Sequence, residues 1–183
     1  MGLKRKLYSF IYHKVLGWKS VVEAPNFAKC IICVAPHTTN LDLFMGKLFI
    51  GAVGRKSGFL MKKDWFFWPL GYLFKAIGGI PVDRSKRTSL TEQIIEKANK
   101  LENFVLAITP EGTRKATTEW RKGFWYIAKG AKLPIILAGI DYQKKIITLA
   151  KVFYPSDDIE KDLVEIKAYY TNFVGRHPNK FAV

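Results

Sequence analysis

A chain of 183 residues that is 49% hydrophobic suits one domain with a sizeable core. Its formal charge of +15 favours a polyanionic surface or an anionic substrate as partner. The positive charge is unevenly distributed along the chain. Residues 1–91 carry 15 Lys and Arg against four acidic residues, a net of +11. Most aromatic residues lie in the same half. Lysines beside aromatics favour a membrane interface, although single-stranded nucleic acid attracts the same mixture.

Cysteine usage and hydropathy narrow the cellular setting. Cys30 and Cys33 are the only cysteines, and residues three apart in a strand face opposite sides, so neither a shared disulfide nor a shared metal is expected. Both are predicted to be core residues in a reducing compartment. No apolar stretch approaches the roughly 18 residues that a transmembrane helix requires. A peripheral protein on the cytoplasmic side of a membrane is therefore expected.

The chain begins with a predicted basic amphipathic helix over residues 3–18. One interpretation docks this helix on the domain with its basic face in solvent, and the other places it in a membrane interface. A second aromatic stretch, residues 65–74, is interrupted at Pro69. It is predicted either to pack in the core or to form a membrane-dipping or acyl-chain-lining surface. The apolar stripe of the first helix comprises Leu3, Leu7, Phe10, Ile11, Val15 and Trp18.

Between residues 30 and 173, apolar runs and helical patterns alternate, which predicts an α/β domain around a largely parallel sheet. The predicted organisation is one domain, with an amphipathic segment at 1–20, a catalytic core at 21–155 and a C-terminal helix and tail at 156–183. The predicted strands cover residues 30–35, 59–61, 80–82, 104–108, 134–140 and about 146–152. The predicted helices cover residues 40–53, 89–100 with a capping box at Ser89 and Glu92, 122–131 and about 156–173.

Three polar motifs each follow a predicted strand: His37–Asp42, Asp83–Arg84 and Glu111–Arg114. In open α/β sheets ligands bind beyond the carboxyl ends of the strands. If the strands are parallel, the three motifs gather at one edge. One composite site is therefore expected.

Each motif also has a purely structural interpretation. His37 and Asp42 can meet as base and orienting acid only if His37 precedes the helix and Asp42 lies in its first turn. Asp42 could instead be a capping-box carboxylate in a helix capped by Thr39. Asp83 and Arg84 could form a surface ion pair of little energetic value. Glu111 and Arg114 could likewise pair locally, whereas two arginines at one edge would make an anion site.

Together these motifs resemble those of the glycerolipid acyltransferases, the family that includes lysophosphatidic acid acyltransferase. His37-Thr-Thr-Asn-Leu-Asp42 is similar to the H-x-x-x-x-D motif of that family. Gly79–Arg84, Pro110–Arg114 and Leu133–Ile136 resemble its second, third and fourth blocks. The resemblance spans about residues 20–155. It implies a single-domain glycerol-3-phosphate acyltransferase-like fold with a sheet flanked by helices.

The resemblance further implies acyl transfer from acyl-CoA or an acidic acyl carrier protein to a hydroxyl of a lysophospholipid-type acceptor such as 1-acyl-glycerol-3-phosphate. It makes His37 the general base and Asp42 its orienting partner. It implies neither a metal nor a cofactor beyond the thioester cosubstrate. Nearby backbone N–H groups are expected to stabilise the oxyanion. The implied acceptor-binding residues are Arg84, Glu111, Gly112, Thr113 and Arg114.

The sequence departs from the family pattern at Pro36, Thr39 and Pro81, so the acceptor headgroup stays open and an amino-acid-headed lysolipid is an alternative. The partners expected are an anionic membrane surface, the acceptor and the thioester donor, without nucleic acid. A hypothesis of a different class is a non-enzymatic binder of membrane or nucleic acid, whose charge-driven binding would fall steeply with salt.

Overall fold

A computed structural model describes residues 2–83 and 89–183 of the chain. Its strands are β1 (Lys19–Val22), β2 (Lys29–Ala35), β3 (Gly58–Lys62), β4 (Gly79–Val82), β5 (Phe104–Ile108), β6 (Ile135–Asp141), β7 (Ile146–Leu149) and β8 (Lys151–Phe153). Its helices are α1 (Leu3–Ser9), α2 (Leu41–Val53), α3 (Leu70–Ala76), α4 (Leu90–Lys100), α5 (Gly123–Gly130) and α6 (Ile159–Tyr170). A π-helical segment, Phe10–Val15, continues α1, and short 3-10 turns cover Lys63–Trp65 and Pro178–Lys180.

The strands form one sheet in the order β1-β7-β6-β2-β5-β3-β4, and β8 pairs with β6 outside this path. Strands β4, β3, β5, β2 and β6 are parallel, whereas β7 and β8 run antiparallel to β6. Parallel neighbours require long crossover connections, which the helices supply. The prediction of a largely parallel sheet flanked by helices is confirmed.

The central strand β2 is buried on both faces, as its apolar run predicts. Cys30 and Ile32 face a core that includes α2, whereas Ile31 and Cys33 face a second core formed with α4, α5 and α6. The prediction that the two cysteines point to opposite faces is therefore confirmed. Both thiols are buried and free.

The N-terminal helix differs from its prediction. It ends at Val15 rather than at residue 18, and Trp18 lies buried beyond it. The predicted apolar stripe is wrong as a docking face, because four of its six members are exposed. Instead the Arg5 Nε atom donates to the Ala52 carbonyl on α2, and Tyr12 is fully buried with its hydroxyl donating to Lys19. The exposed members are Leu3, Leu7, Phe10 and Val15.

Other boundaries shift slightly. β1 was not predicted, and the strand predicted over about 146–152 is two strands that meet at Ala150. α2 begins at Leu41 after Asn40, and α6 ends at Tyr170 rather than at about 173. The capping box at the start of α4 is confirmed. The division into segments 1–20, 21–155 and 156–183 stays a prediction. No helix within the described residues is long and apolar enough to cross a membrane.

Candidate active site

Two of the three polar motifs meet at the carboxyl ends of β2 and β5. These strands are parallel neighbours, so the loops that follow them leave the same edge of the sheet. The His37 backbone N–H donates to Glu111 Oε1 over 3.0 Å and joins the two loops. In the second motif, Asp83 pairs with Lys63 at 3.2 Å. Arg84 lies outside the described residues, and with it the predicted Asp83–Arg84 ion pair.

His37 and Asp42 form a hydrogen-bonded pair. His37 lies in the loop before α2 and Asp42 in the first turn of that helix. The His37 Nδ1 atom is 3.1 Å from Asp42 Oδ2, and the His37 and Asp42 side chains are 18% and 3% exposed. Because an ionised carboxylate only accepts hydrogen bonds, Nδ1 carries the hydrogen in the neutral imidazole and Nε2 keeps a lone pair. This is the tautomer that a general base requires.

The Asp42 carboxylate also organises the start of the helix. Its Oδ2 atom accepts from the backbone N–H groups of Thr38 and Thr39 at 2.9 and 3.0 Å. Its Oδ1 atom accepts the Tyr142 hydroxyl at 2.7 Å. A negative side chain at a helix N-terminus is further stabilised by the helix dipole. The residue before the helix is Asn40 rather than the predicted cap Thr39, so the predicted capping box is wrong, although Asp42 accepts hydrogen bonds from the helix start and from His37 alike.

Glu111 is a buried acid beside this pair. Its Oε2 atom has no hydrogen-bond partner among the described residues. Burial raises the pKa of Glu111 from 4.5 to about 7, and the Asp42 carboxylate contributes in the same direction. The His37 N–H and ring charge oppose the shift. The predicted local pair with Arg114 is not formed, because Arg114 Nη1 donates to Asn40 Oδ1 at 2.6 Å.

Gly112 and Thr113 shape the loop after β5. Gly112 has a φ of +63°, a backbone conformation that glycine adopts readily and other residues rarely do, so a substitution there would be strained. The Gly112 N–H donates to the Thr109 carbonyl, which leaves that amide unavailable to an oxyanion. The Thr113 hydroxyl accepts from Lys115 within its own loop. Substrate binding by these two residues stays a prediction.

A cavity of about 620 Å³ lies between α2 and the sheet, and His37, Asp42 and Arg114 line it. Lys47 also lines it, with its Nζ atom donating to the Ser57 carbonyl at 2.8 Å and lying over the Phe59 ring. Burial lowers the pKa of Lys47. A mostly apolar wall suits a hydrocarbon chain. The apolar lining includes Ile32, Val34, Leu43, Phe44, Ile50, Phe59, Ile108, Ala138 and Ile140.

The structure adds residues to the site that sequence reasoning missed. Tyr142 is 100 residues from Asp42 along the chain and belongs to no motif. The C-terminal tail packs on the loop that carries His37, because the His177 N–H donates to the Thr38 hydroxyl at 3.3 Å and Gly175 lies against Thr38. The Tyr142 N–H donates to the Val174 carbonyl. In these segments the sequence shows only an alternation of apolar and polar residues. No motif identifies them as part of a site.

Within residues 2–83 and 89–183, no three His, Cys, Asp or Glu side chains are grouped so as to hold a metal ion. These residues can supply a histidine base with a fixed tautomer. The Arg114 guanidinium and an apolar cavity lie beside it.

Comparison with known proteins assigns the family. The model of the acyltransferase family matches residues 20–140, which include all three polar motifs. The chain belongs to the acyltransferase family. It is therefore an acyltransferase enzyme, and the alternative of a non-enzymatic binder is set aside.

The fold of this acyltransferase is similar to a solved structure. The crystal structure of the 1-acyl-sn-glycerophosphate (LPA) acyltransferase PlsC from Thermotoga maritima superimposes with a TM-score of 0.64 at 17% sequence identity. The match covers 90% of this chain and 76% of PlsC. The predicted acyltransferase fold is confirmed. A search of curated proteins found no match to the chain.

Proposed function

We propose that this acyltransferase moves a fatty acyl group from a thioester donor to a hydroxyl of a lysophospholipid-type acceptor such as 1-acyl-glycerol-3-phosphate. One observation carries the proposal: the His37–Asp42 pair lines the same cavity as a wall of apolar side chains. The cavity thus combines a base for a hydroxyl with space for an acyl chain.

The proposed reaction needs no covalent enzyme intermediate. The His37 Nε2 atom takes the proton of the acceptor hydroxyl while Asp42 stabilises the imidazolium that forms. The acceptor oxygen attacks the thioester carbonyl carbon, and the tetrahedral intermediate collapses with cleavage of the C–S bond. The leaving thiolate takes the proton from the imidazolium. The products are the new ester and a free thiol.

Arg114 supports a phosphorylated acceptor. It lines the cavity near His37, and its Nη1 atom is held by Asn40. A guanidinium matches the geometry of phosphate oxygens, so it can hold the headgroup while the hydroxyl faces the base. Glu111 contributes by fixing the His37 backbone. Arg84 keeps its proposed role as a second phosphate ligand on the resemblance alone.

We further propose that the enzyme works at an anionic membrane surface on the cytoplasmic side. Trp68 is 80% exposed, and other large apolar side chains around α3 are about half exposed or more. Exposed patches of this kind mark interaction sites, and a charge of +15 favours anionic lipids. The exposed side chains are Trp65, Phe67, Trp68, Tyr72, Leu73 and Ile77, together with the N-terminal Leu3, Leu7 and Phe10.

An acylation assay with defined lipids tests the proposed reaction. Purified protein is supplied with 1-acyl-glycerol-3-phosphate and with either acyl-CoA or acyl carrier protein thioesters, and the diacyl product and free thiol are quantified. Product is expected with one of these donors. His37→Ala should lower turnover by about 10²- to 10⁴-fold, the usual contribution of a general base.

His177→Ala is the matched control, because that exposed histidine contacts Thr38 through its backbone and not its ring. It should keep wild-type turnover. Full activity of His37→Ala would contradict the mechanism. Acylation of an amino-acid-headed lysolipid in preference to every phosphate-headed one would contradict the proposed acceptor class.

A further inference from the structure

The two oxygens of Asp42 have different partners. Oδ2 serves His37 and the two amides of the helix start, whereas Oδ1 accepts the Tyr142 hydroxyl at 2.7 Å. The hydroxyl is the donor, because the carboxylate only accepts. Burial and the hydrogen bond to the Asp42 carboxylate raise the pKa of Tyr142 above its ordinary value, so the hydroxyl keeps its proton at neutral pH.

Tyr142 is itself held at its ring and at its backbone. Trp18 packs on it edge to face, with ring centroids 5.0 Å apart and an interplanar angle of 90°. Trp18 is fixed in turn by the Tyr12 ring and by the His13 Nδ1–H, which donates to its carbonyl. The Tyr142 N–H donates to Val174. The hydroxyl therefore approaches Asp42 from a rigid aromatic cluster that the segment following α1 completes.

We propose that Tyr142 is a positioning residue for acyl transfer, which sets the rotation of the Asp42 carboxylate so that Oδ2 faces His37. This inference rests on the proposed function of His37 as base. Without the hydroxyl, Oδ1 would be a buried acceptor lacking its partner, and such a group turns or protonates to recover one. Either response loosens the His37 ring. Tyr142 acts through Asp42 and does not touch the reacting atoms.

The Tyr142 hydroxyl also shares the negative charge of Asp42. The titratable and charged groups around the pair are His37, Glu111, Tyr142 and Arg176, of which Arg176 acts on Tyr142. When the hydroxyl is removed and the carboxylate turns, Asp42 stabilises the imidazolium that forms during the reaction less well, so kcat falls.

The test compares Tyr142→Phe with Tyr169→Phe. Both changes delete one hydroxyl that makes a described hydrogen bond, and Tyr169 bonds to Thr148. Tyr142→Phe should lower kcat by about tenfold, the effect of losing a hydrogen bond to a charged group. The KM for the acceptor should stay close to wild type. Tyr169→Phe should leave turnover unchanged, although both variants lose some thermal stability.

A double-mutant cycle locates the effect. If Tyr142 acts through Asp42, adding Tyr142→Phe to Asp42→Asn lowers turnover no further. Additive losses in kcat would overturn the proposal, as would a Tyr142→Phe variant that matches Tyr169→Phe in kcat. If His37→Ala retains turnover, the proposed function has failed. If His37→Ala is inactive while Tyr142→Phe matches its control, only the positioning role has failed.

A second readout needs no substrate. The proton on His37 Nδ1, hydrogen-bonded to a carboxylate, gives a downfield NMR resonance that the His37→Gln variant identifies by its absence. The resonance should persist in Tyr169→Phe and should shift or broaden in Tyr142→Phe because the carboxylate is no longer fixed. An identical resonance in wild type and Tyr142→Phe would overturn the proposal.

Discussion

The surroundings of Asp42 and the aromatic segment 65–77 are built in opposite ways. Asp42 is buried, and both of its oxygens are held by hydrogen bonds from four residues. In the aromatic segment, Trp68 and Tyr72 are exposed, and the backbone hydrogen bonds join near neighbours such as Gly71 and Phe67. Proton transfer requires fixed atoms, whereas lipid contact requires apolar area. The two regions accordingly should respond differently to substitution.

The largest effect is expected at Asp42. Asp42→Asn keeps the shape of the side chain but removes the charge that, in the proposed mechanism, stabilises the His37 imidazolium. We expect kcat to fall by about 10³- to 10⁴-fold, as in other histidine–aspartate pairs, and the free energy of unfolding to fall by only about 1 kcal/mol through the weakened cap. A turnover assay measures the change in kcat, and chemical denaturation measures the change in the free energy of unfolding. Loss of stability with full turnover would mean that Asp42 is a cap alone.

Glu111 makes the buried region sensitive to pH. Because its pKa rises from 4.5 to about 7 on folding, its contribution to stability is complete below pH 4.5 and is lost as the pH rises through 7. Between pH 5 and pH 8 the free energy of unfolding should therefore decline by on the order of 3 kcal/mol from this group. Glu111→Gln, which keeps an acceptor for the His37 N–H, should show a flatter profile in urea denaturation.

A Glu111→Gln variant whose stability declines with pH as steeply as wild type would show that Glu111 ionises freely in the folded protein. The aromatic segment supplies the contrast, because Trp68→Ala should leave the slope of stability against pH unchanged.

Substitution of Arg114 tests whether this side chain of the cavity lining binds the phosphate of the acceptor. Arg114→Ala should raise the KM for 1-acyl-glycerol-3-phosphate by about 10- to 100-fold, since a hydrogen bond between charged groups contributes about 1.5–3 kcal/mol. The kcat should change little. Lys115→Ala, an exposed cation in the same loop, is the control and should keep its KM. Equal KM values for the two variants would remove Arg114 from the acceptor site.

The smallest effect is expected at Trp68. Trp68→Ala should weaken binding to anionic vesicles several-fold, because partly burying an aromatic side chain contributes on the order of 1 kcal/mol, and the loss should persist in high salt. Turnover with detergent-dispersed substrate should be unaffected. Tyr154→Ala removes another exposed aromatic, outside the segment. If it weakens vesicle binding as much, the segment has no special role at the membrane.

The fold and the His37–Asp42 contact follow from local patterns. Apolar runs bounded by turns identify β2 and β5, and their parallel pairing brings the two loops together. The His37–Asp42 pair is five residues apart at a strand–helix junction, so its geometry depends on one turn. These features are predictable because each is decided within a few residues.

The features that the sequence did not reveal depend on contacts between residues that are far apart in the chain. The Tyr142–Asp42 bond joins residues 100 positions apart and leaves no local signal. The predicted docking face of α1 was wrong because the periodicity argument gives weight to the apolar stripe. In the structure Tyr8 and Tyr12 make the contacts with α2 and the core instead. β1 has four residues that are half-buried or exposed, too few for an alternating pattern to stand out. Arg84 was predicted from a motif and lies outside the described residues.

The contact between the tail and the His37 loop has a consequence for biosynthesis. Thr38 receives its hydrogen bond from a residue 139 positions later. At about 5–20 residues per second, the ribosome adds that residue on the order of 10 s after the loop itself. A nascent chain thus carries its base and its orienting acid well before the loop is fully supported. The support that the tail gives to the His37 loop is therefore complete only after residue 177 has emerged and folded back.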